Sequence, residues 1–301
     1  MKKFILKFLL FLACVVVMDF MFGIGFSWLR SHAKGGSTAN CEYIANQANE
    51  DIIILGSSRA THHYVPEIIE DSLGMSCYNC GEEGNGVVLA YGRLKMLTNR
   101  YKPKLVIYEI TPGYDYDAIE PNNKYLGYLR AYYDIEGISD IFDDFDDDLS
   151  CLKMWSRMYQ NTSRLLPDIV DNIIFRDNHH GYEPLYGKMK EVIGTKSKKK
   201  IISIDSLKLL YLEKLIVLCK RRKIPLLFMA SPKYDNEDNT NYEPAIELCK
   251  RYGVEFRNYI NDLSISKRSE LFQDIEHLNN EGATLFSQKI IPTIKAHLNN
   301  I

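Results

Sequence analysis

Two short segments of this chain carry the side chains of a nucleophilic serine site. Ser58 lies in Gly56-Ser57-Ser58, directly after an apolar and β-branched run, and Asp274 and His277 lie three residues apart near the other end of the chain. A serine hydroxyl is a weak nucleophile at neutral pH, so it needs an imidazole to accept its proton and a carboxylate to fix the imidazole tautomer. These residue types therefore predict acyl chemistry with a serine of Gly56-Ser57-Ser58 as nucleophile, His277 as general base and Asp274 as the orienting carboxylate.

A third segment is the glycine-rich stretch from Asn79 to Gly86, which contains Gly84 and Asn85. Glycines at the exit of a strand let backbone N–H groups approach a substrate closely. Each of the three segments also has a simpler interpretation when it is taken alone. Gly-Ser-Ser is often a plain turn, Asp-x-x-His is common on surfaces, and a glycine-rich exit can be a tight strand-to-helix turn.

The elements that must position these segments alternate between strands and helices. The predicted strands are residues 51–55, 75–79, 104–110, 224–230 and 254–258, and the predicted helices are residues 66–73, 87–101, 206–222, 243–252 and 281–298. This alternation predicts βαβ units around a parallel sheet, in which reactive groups collect beyond the carboxyl ends of the strands. Residues 114–200 break the alternation and are interpreted as an inserted, partly helical region.

Taken together and in this order, the three segments resemble the SGNH (GDSL-like) hydrolase superfamily over residues 51–298, outside the insertion. Gly56-Ser57-Ser58 is similar to the first block, which places Ser58 at the nucleophile position. Gly84 matches the oxyanion-donor glycine of the second block, and Asp274 and His277 match the last block closely. The resemblance implies an α/β fold with a three-layer, flavodoxin-like parallel sheet, and hydrolysis or transfer of an ester-linked acyl group.

The third block of the superfamily, Gly-x-Asn-Asp, is not met, because the chain has Glu109 to Asp115 there. The oxyanion-hole asparagine thus has no counterpart, and loss of one such donor can cost about 10²–10³ in rate. Asn79, Asn85, Asp115 or a residue of the insertion could substitute for it. The backbone N–H groups of Ser58 and Gly84 are the other expected oxyanion donors.

Several residues near the predicted site have open roles. Arg59 follows the nucleophile and could bind an anionic substrate, or form an ion pair on the surface. His62 and His63 could reach the site, although a solvated turn is the preferred interpretation. Trp155 and other aromatic residues of the insertion could stack on sugar, but we interpret most of them as core residues. The acidic run 143–148 is interpreted as a solvated loop, since it lacks the spacing of a calcium loop.

The N-terminal segment predicts a membrane anchor. Residues 8–29 are apolar except for Asp19, which is long enough to span a bilayer, and Lys2, Lys3 and Lys7 precede them. Basic residues before the run predict a cytoplasmic N-terminus and an extracytoplasmic remainder, periplasmic or extracellular. The expected organisation is a signal-anchor helix over residues 1–30, a linker over 31–50 and the hydrolase-like domain over 51–301. Cleavage near residues 31–33 is the alternative.

Composition limits the remaining classes. The chain has 301 residues, of which 46% are hydrophobic and 25% charged, with a net charge of −2. This is ordinary globular composition, and it excludes a mainly disordered or multi-span membrane protein. There is no basic footprint for nucleic acid. Cys77 and Cys80 have CxxC spacing but no second pair to complete a zinc set, so buried thiols or one structural disulfide are expected. No cofactor or metal is predicted.

The leading hypothesis is therefore an extracytoplasmic serine acyl esterase that acts on ester-linked acyl groups, with an acylated cell-envelope glycan as the expected substrate. The anchor and the unmatched third block also resemble SGNH-like proteins that acylate envelope polymers beside a membrane-bound O-acyltransferase. An O-acyltransferase or an accessory protein with that partner is one alternative. A non-catalytic binding module that retains the fold is another.

Overall fold

The computed structural model describes residues 1–118, 126–145, 150–190, 203–234 and 239–299. Its chain divides into two compact units. The first consists of Met1–Asn46 and Asn123–Asp177, and the second of Gln47–Asn122 and Asn178–Ile301. The second unit thus takes up residues 178–190, which fall within the expected insertion. Part of that insertion and part of the acidic run lie outside the described residues.

The second unit is built on a five-stranded parallel sheet. Its strands are β1 (Ile52–Gly56), β2 (Cys77–Asn79), β3 (Leu105–Glu109), β4 (Leu226–Ala230) and β5 (Glu255–Asn258), and their order is β2-β1-β3-β4-β5. Every neighbouring pair is parallel, with Ile54 of β1 beside Asn79 of β2 and Ile107 of β3. This is the flavodoxin-like order, in which ligand sites form at the carboxyl ends of the strands. The predicted fold class is confirmed.

Helices cover both faces of the sheet. They are α3 (Ser58–His63), α4 (Pro66–Leu73), α5 (Val87–Arg100), α12 (Ser206–Arg222), α13 (Glu243–Tyr252) and α14 (Asn280–Asn299), and α6 (Pro112–Asp115) is a single turn. Alternate strand residues point to opposite faces, so Ile52 and Ile54 share one buried cluster with Phe286 and Ile290 of α14. The thiols of Cys77 and Cys80 are buried and unbridged.

The first unit is helical in its described residues. It contains α1 (Lys2–Ser31), α2 (Gly36–Asn46), α7 (Leu126–Leu129), α8 (Ser139–Phe145), α9 (Ser150–Lys153), α10 (Arg157–Asn161) and α11 (Leu165–Ile173). Helix α1 is long and apolar enough to cross a membrane. Helix α2 lies within residues 31–50, which were expected to form a linker, and its buried residues Thr38, Cys41, Ile44 and Ala45 recur at helical spacing.

Candidate active site

The predicted nucleophile stands where β1 turns into α3. Gly56, the last residue of β1, has φ +147°, and a Cβ there would lie 2.7 Å from the carbonyl oxygen of Glu109. Only glycine tolerates both the left-handed backbone and this close approach. Ser58 is the first residue of α3, a position at which a backbone N–H has no intrahelical acceptor. The turn therefore places the Ser58 side chain at the carboxyl edge of the sheet.

The structure brings Ser58, His277 and Asp274 together in hydrogen-bonding order. The Nε2 atom of His277 lies 2.8 Å from the Ser58 hydroxyl, and its Nδ1 lies 3.0 Å from each carboxylate oxygen of Asp274. Asp274 Oδ1 also accepts the backbone N–H groups of Glu276 and His277, at 2.8 and 2.9 Å. This geometry suits proton transfer from serine to imidazole.

The electrostatics of Asp274 favour its ionised form. Partial burial acts to raise the pKa of the Asp274 carboxyl, but hydrogen bonds from the His277 ring and from two backbone N–H groups outweigh it and leave the pKa below its usual range. An ionised Asp274 accepts the Nδ1–H of His277, which leaves Nε2 as a proton acceptor facing Ser58. The carboxylate thus selects the tautomer that a general base requires.

The glycine-rich loop after β2 packs directly on α3. The Glu82 N–H donates to the carbonyl oxygen of Gly56 at 3.2 Å. A Cβ at Gly81 would lie 2.7 Å from the backbone nitrogen of Thr61, so glycine is needed for this close packing. Arg93 of α5 also binds this loop. Its guanidinium forms an ion pair with the Glu82 carboxylate and donates hydrogen bonds to the Cys80 and Gly81 carbonyls. Gly84, with φ +63°, lies in the outer part of this loop.

Three residues were candidates for the missing oxyanion-hole side chain, and two of them have other bonds. Asn79 donates to the Ala60 and Tyr64 carbonyls and accepts the Gly81 N–H, so its amide joins α3 to the loop. Asp115 accepts the Tyr108 hydroxyl and a backbone N–H. Burial raises the pKa of Asp115 to about 7, against the lowering effect of these bonds.

Asn85 is the third candidate and retains hydrogen-bonding capacity. Its side chain is buried in the loop, and its Nδ2 donates to the Glu83 carbonyl at 2.8 Å. Its Oδ1 has no hydrogen-bond partner among the described residues. The open Oδ1 is an acceptor and cannot stabilise an oxyanion, but an amide NH2 group has two N–H donors. The second N–H of Asn85 Nδ2 therefore makes Asn85 the one of the three that can still donate a hydrogen bond.

The structure does not place Arg59 in contact with a substrate position. Its side chain is buried, and its guanidinium lies 2.9 Å from the Glu109 carboxylate at the end of β3. It also donates to the carbonyl of Ile110, and lies 3.3 Å from the Tyr242 hydroxyl. A buried guanidinium needs such partners. The structure thus shows neither of the expected alternatives, anion binding or a surface ion pair, but a buried ion pair next to Ser58 in the chain.

His63 belongs to a buried hydrogen-bonded chain that ends at the residue after His277. Its Nε2 accepts the Leu278 N–H at 3.0 Å, and its Nδ1 lies 2.7 Å from the Ser231 hydroxyl. That hydroxyl in turn donates to Glu109 at 2.8 Å. Burial, together with nearby positive charge, holds the pKa of His63 well below its usual range, so the ring is neutral. These hydrogen bonds connect the ends of β3 and β4 to the segment that carries His277.

His62 forms a second histidine–carboxylate pair beside the first. Its Nε2 lies 2.6 Å from Glu83 and its Nδ1 2.6 Å from the Glu183 carbonyl, and its ring meets the His277 ring edge-on at 5.6 Å. Burial acts to lower the pKa of His62, but these two bonds outweigh it and leave the pKa raised. The hydrogen bond from His62 in turn lowers the pKa of Glu83, which favours an ionised carboxylate. The prediction of a solvated turn at His62 and His63 is wrong, because both side chains are buried.

Residues 178–190 complete the surroundings of the His277 segment. The Asn280 N–H donates to the Leu185 carbonyl at 2.7 Å, and the Asn279 side chain donates to the Gly187 carbonyl at 2.9 Å. Both asparagines come directly after Leu278, so residues 178–190 help to hold the His277 segment in place. Sequence reasoning missed Glu109, Ser231 and residues 178–190, although Glu109 and Ser231 stand at strand ends, where polar residues are worth testing as site residues.

Comparisons with known proteins find distant structural likeness. No protein-family model matches the chain. No curated protein matches it. Among solved structures, the chain is similar to a protein described as lipolytic and of the G-D-S-L family from Desulfitobacterium hafniense, with a TM-score of 0.42, 10% identity and coverage of 80% of this chain and 98% of that one. It is also similar to a protein described as an acylhydrolase from Bacteroides fragilis, with a TM-score of 0.40, 12% identity and coverage of 87% and 95%. A mutant of the esterase AlinE4 has a TM-score of 0.36, 13% identity and coverage of 83% and 98%. At these identities the likeness does not extend to activity or substrate.

Proposed function

We propose that the protein is a serine acyl esterase of the SGNH type. The observation that carries the proposal is the 2.8 Å contact between Ser58 Oγ and His277 Nε2, with Asp274 on the far side of the ring. A serine, an imidazole and a carboxylate in this order form a nucleophile, its base and the group that orients the base.

The reaction runs in two halves. Ser58 Oγ attacks the ester carbonyl while its proton passes to His277 Nε2, and the tetrahedral intermediate collapses when that proton is given to the departing alkoxide. The products of this half are a free alcohol and an acyl-Ser58 ester. In the second half, His277 takes a proton from water, the hydroxide attacks the acyl carbonyl, and the carboxylic acid leaves as Ser58 is reprotonated. The Ser58 and Gly84 N–H groups are the proposed oxyanion donors, with the Asn85 amide as the side chain that supplements them.

A first experiment uses the full-length protein in detergent micelles with p-nitrophenyl acetate. Ser58→Ala and His277→Ala should both abolish turnover, and a fluorophosphonate probe should label Ser58. Ser57→Ala is the matched control, because the Ser57 hydroxyl is buried without a hydrogen-bond partner among the described residues. Retained turnover in Ser58→Ala, or no labelling of the native protein, would reject the esterase and favour a binding module.

We further propose that the substrate is an acylated glycan of the cell envelope and that the second unit lies outside the cytoplasm. The support is α1, which has the length and apolar character of a membrane span and begins with Lys2 and Lys3. A C-terminal alkaline phosphatase fusion tests the location, since this reporter is active only outside the cytoplasm. An inactive fusion at normal expression would overturn it.

Acyl transfer to the same glycan is the second candidate. The observation that favours it is the third-block region, where Glu109 is buried in an ion pair and Asp115 accepts hydrogen bonds, so neither supplies the donor that efficient hydrolysis uses. In this case a membrane-bound O-acyltransferase is the proposed partner. Deleting the gene should then lower glycan O-acylation, whereas an esterase deletion should raise it.

A further inference from the structure

Helix α11 carries its apolar side chains outward and its acidic side chains inward. Leu166 and Ile173 are each 75% exposed, whereas Asp168 and Asp171 are 2% and 4% exposed. The two carboxylates accept hydrogen bonds from the Thr38 hydroxyl and the Thr38 N–H, both at 3.0 Å. A helix on a water-facing surface has the opposite arrangement. The outer face of α11 is therefore suited to an apolar environment.

This apolar face extends beyond α11. Its further exposed members are Trp155, Met158, Ile169, Val170, Ile174 and Phe175. The chain has two tryptophans, Trp28 and Trp155, and they are 59% and 81% exposed. Exposed tryptophan is unusual on a soluble surface and is enriched at the boundary between a membrane and water. Trp155 is therefore not among the aromatic residues of the insertion that pack in the core, as Tyr182 does.

Helices α10 and α11, which carry much of this face, pack against α1 through other side chains. The Asp19 carboxylate, which interrupts the apolar run, accepts the Arg157 N–H at 2.8 Å at the start of α10. A Cβ on Gly23 would lie 2.5 Å from the Arg157 Cβ, so the glycine allows α10 to lie directly on α1. The Asn172 side chain of α11 donates to the Leu29 carbonyl at 2.8 Å. Helices α10 and α11 thus lie along the C-terminal half of α1.

These contacts define where α1 can cross a bilayer. From Phe4 to Phe22 the helix is about 28 Å long at 1.5 Å per residue, which is close to the thickness of a hydrocarbon core. Lys7 lies one turn inside this segment, and its long side chain can extend to bring the ammonium group to the headgroup region. Asp19 then lies near one end of the crossing segment, where its charge is met by the start of α10. Elements that contact α1 between Asp19 and Leu29 must lie at the membrane boundary.

We propose that the exposed face formed by Trp155, Met158, Leu166, Ile169, Val170, Ile173, Ile174 and Phe175 lies in the headgroup region of the lipid bilayer that α1 crosses. The proposal rests on the membrane location of α1 proposed above. The occupant is lipid, because the face is continuous with a membrane-spanning helix and presents aliphatic and aromatic side chains. It gives the first unit two contacts with the membrane, a crossing helix and an interfacial face.

The test uses the two tryptophans as separate probes in the full-length protein. Trp28→Phe leaves Trp155 as the sole tryptophan, and Trp155→Phe leaves Trp28. Each protein is reconstituted in phosphatidylcholine vesicles with or without brominated acyl chains, and its fluorescence is also challenged with aqueous iodide. Trp155 should be quenched by the brominated lipid and shielded from iodide. The triple variant Leu166→Ser, Ile173→Ser and Phe175→Ser should weaken this lipid quenching.

Leu263→Ser is the matched control, because Leu263 is 72% exposed but belongs to the other unit, and it should leave the quenching of Trp155 unchanged. Quenching of Trp28 by brominated lipid, with Trp155 open to iodide, would overturn the interfacial face while leaving the anchor intact, and would favour a protein partner on this face. No lipid quenching of either tryptophan would overturn both. Hydrolysis of p-nitrophenyl acetate in the same samples tests the esterase proposal separately.

Discussion

Two buried serines that flank the site should respond very differently to the same substitution. Ser57 and Ser231 are both fully buried. The Ser231 hydroxyl donates to Glu109 at 2.8 Å and lies 2.7 Å from His63 Nδ1, whereas the Ser57 hydroxyl has no hydrogen-bond partner among the described residues. The comparison of Ser231→Ala with Ser57→Ala therefore isolates the value of the hydrogen-bonded chain.

The expected loss for Ser231→Ala follows from the two bonds that disappear. The His63 N–H is left buried and unpaired, which costs about 1–3 kcal/mol, and Glu109 loses a hydrogen bond to a charged group, worth about 1.5–3 kcal/mol. Because the backbone N–H of residue 231 still donates to Glu109 at 3.0 Å, the free energy of unfolding should fall by about 2–4 kcal/mol in total. Ser57→Ala should not lower it, and should raise it by up to about 1–3 kcal/mol, because it removes a buried hydroxyl that has no hydrogen-bond partner among the described residues.

Denaturant titration of the full-length protein in mild detergent, followed by circular dichroism, measures both values. In ester hydrolysis, Ser231→Ala should lower kcat and change KM less. The reason is that His63 no longer holds the Leu278 N–H in place beside His277. That split separates positioning from general loss of stability. Equal destabilisation by the two substitutions, or an unchanged kcat in Ser231→Ala, would refute the reasoning.

Three further outcomes are expected. Asp274→Asn should lower kcat by about 10²–10⁴ on p-nitrophenyl acetate, because an amide favours the imidazole tautomer that cannot accept the serine proton; a loss below tenfold would contradict the assigned role. Glu83→Gln should lower the pKa of His62 in an NMR titration, since burial then acts on the ring without the carboxylate bond. Because the pKa of His62 is raised in the folded protein, the contribution of this pair to the free energy of unfolding is complete below the unfolded pKa and is lost as pH rises through the folded pKa. An unchanged His62 pKa in Glu83→Gln would disprove the pairing. Gly56→Ala should destabilise the fold by at least about 1–3 kcal/mol in thermal unfolding, whereas Gly113→Ala, where an added Cβ meets nothing within 4 Å, should not.

Much of the sheet and its helices could be predicted because local signals mark their ends. Helix α4 begins at Pro66 and ends before Gly74, which has the left-handed conformation typical of a helix C-terminus. Helix α12 begins after Asp205, whose carboxylate accepts the N–H groups of Leu207 and Lys208. The apolar strands lie between such ends, so both the alternation and the parallel sheet could be predicted from the chain.

The features that could not be predicted depend on partners far away in the sequence. Arg59 is buried because Glu109 lies beside it, and His63 is buried because Ser231 bonds its ring. Helix α2 forms with its first turn bonded to Asp171, far along the chain. From a single sequence, a polar residue is expected to be exposed unless its buried partner is known.

Helix α3 shows why these distant partners matter for chemistry. It has only six residues, and a helix this short has little stability of its own in water. Its position must therefore come from side-chain bonds: Arg59 to Glu109 beneath it, His62 to Glu83, and His63 to Ser231. Ser58 is the first residue of this helix, so these bonds also determine where the nucleophile stands relative to His277. Polar residues outside the Ser58, His277 and Asp274 set thus control the geometry on which the proposed reaction depends.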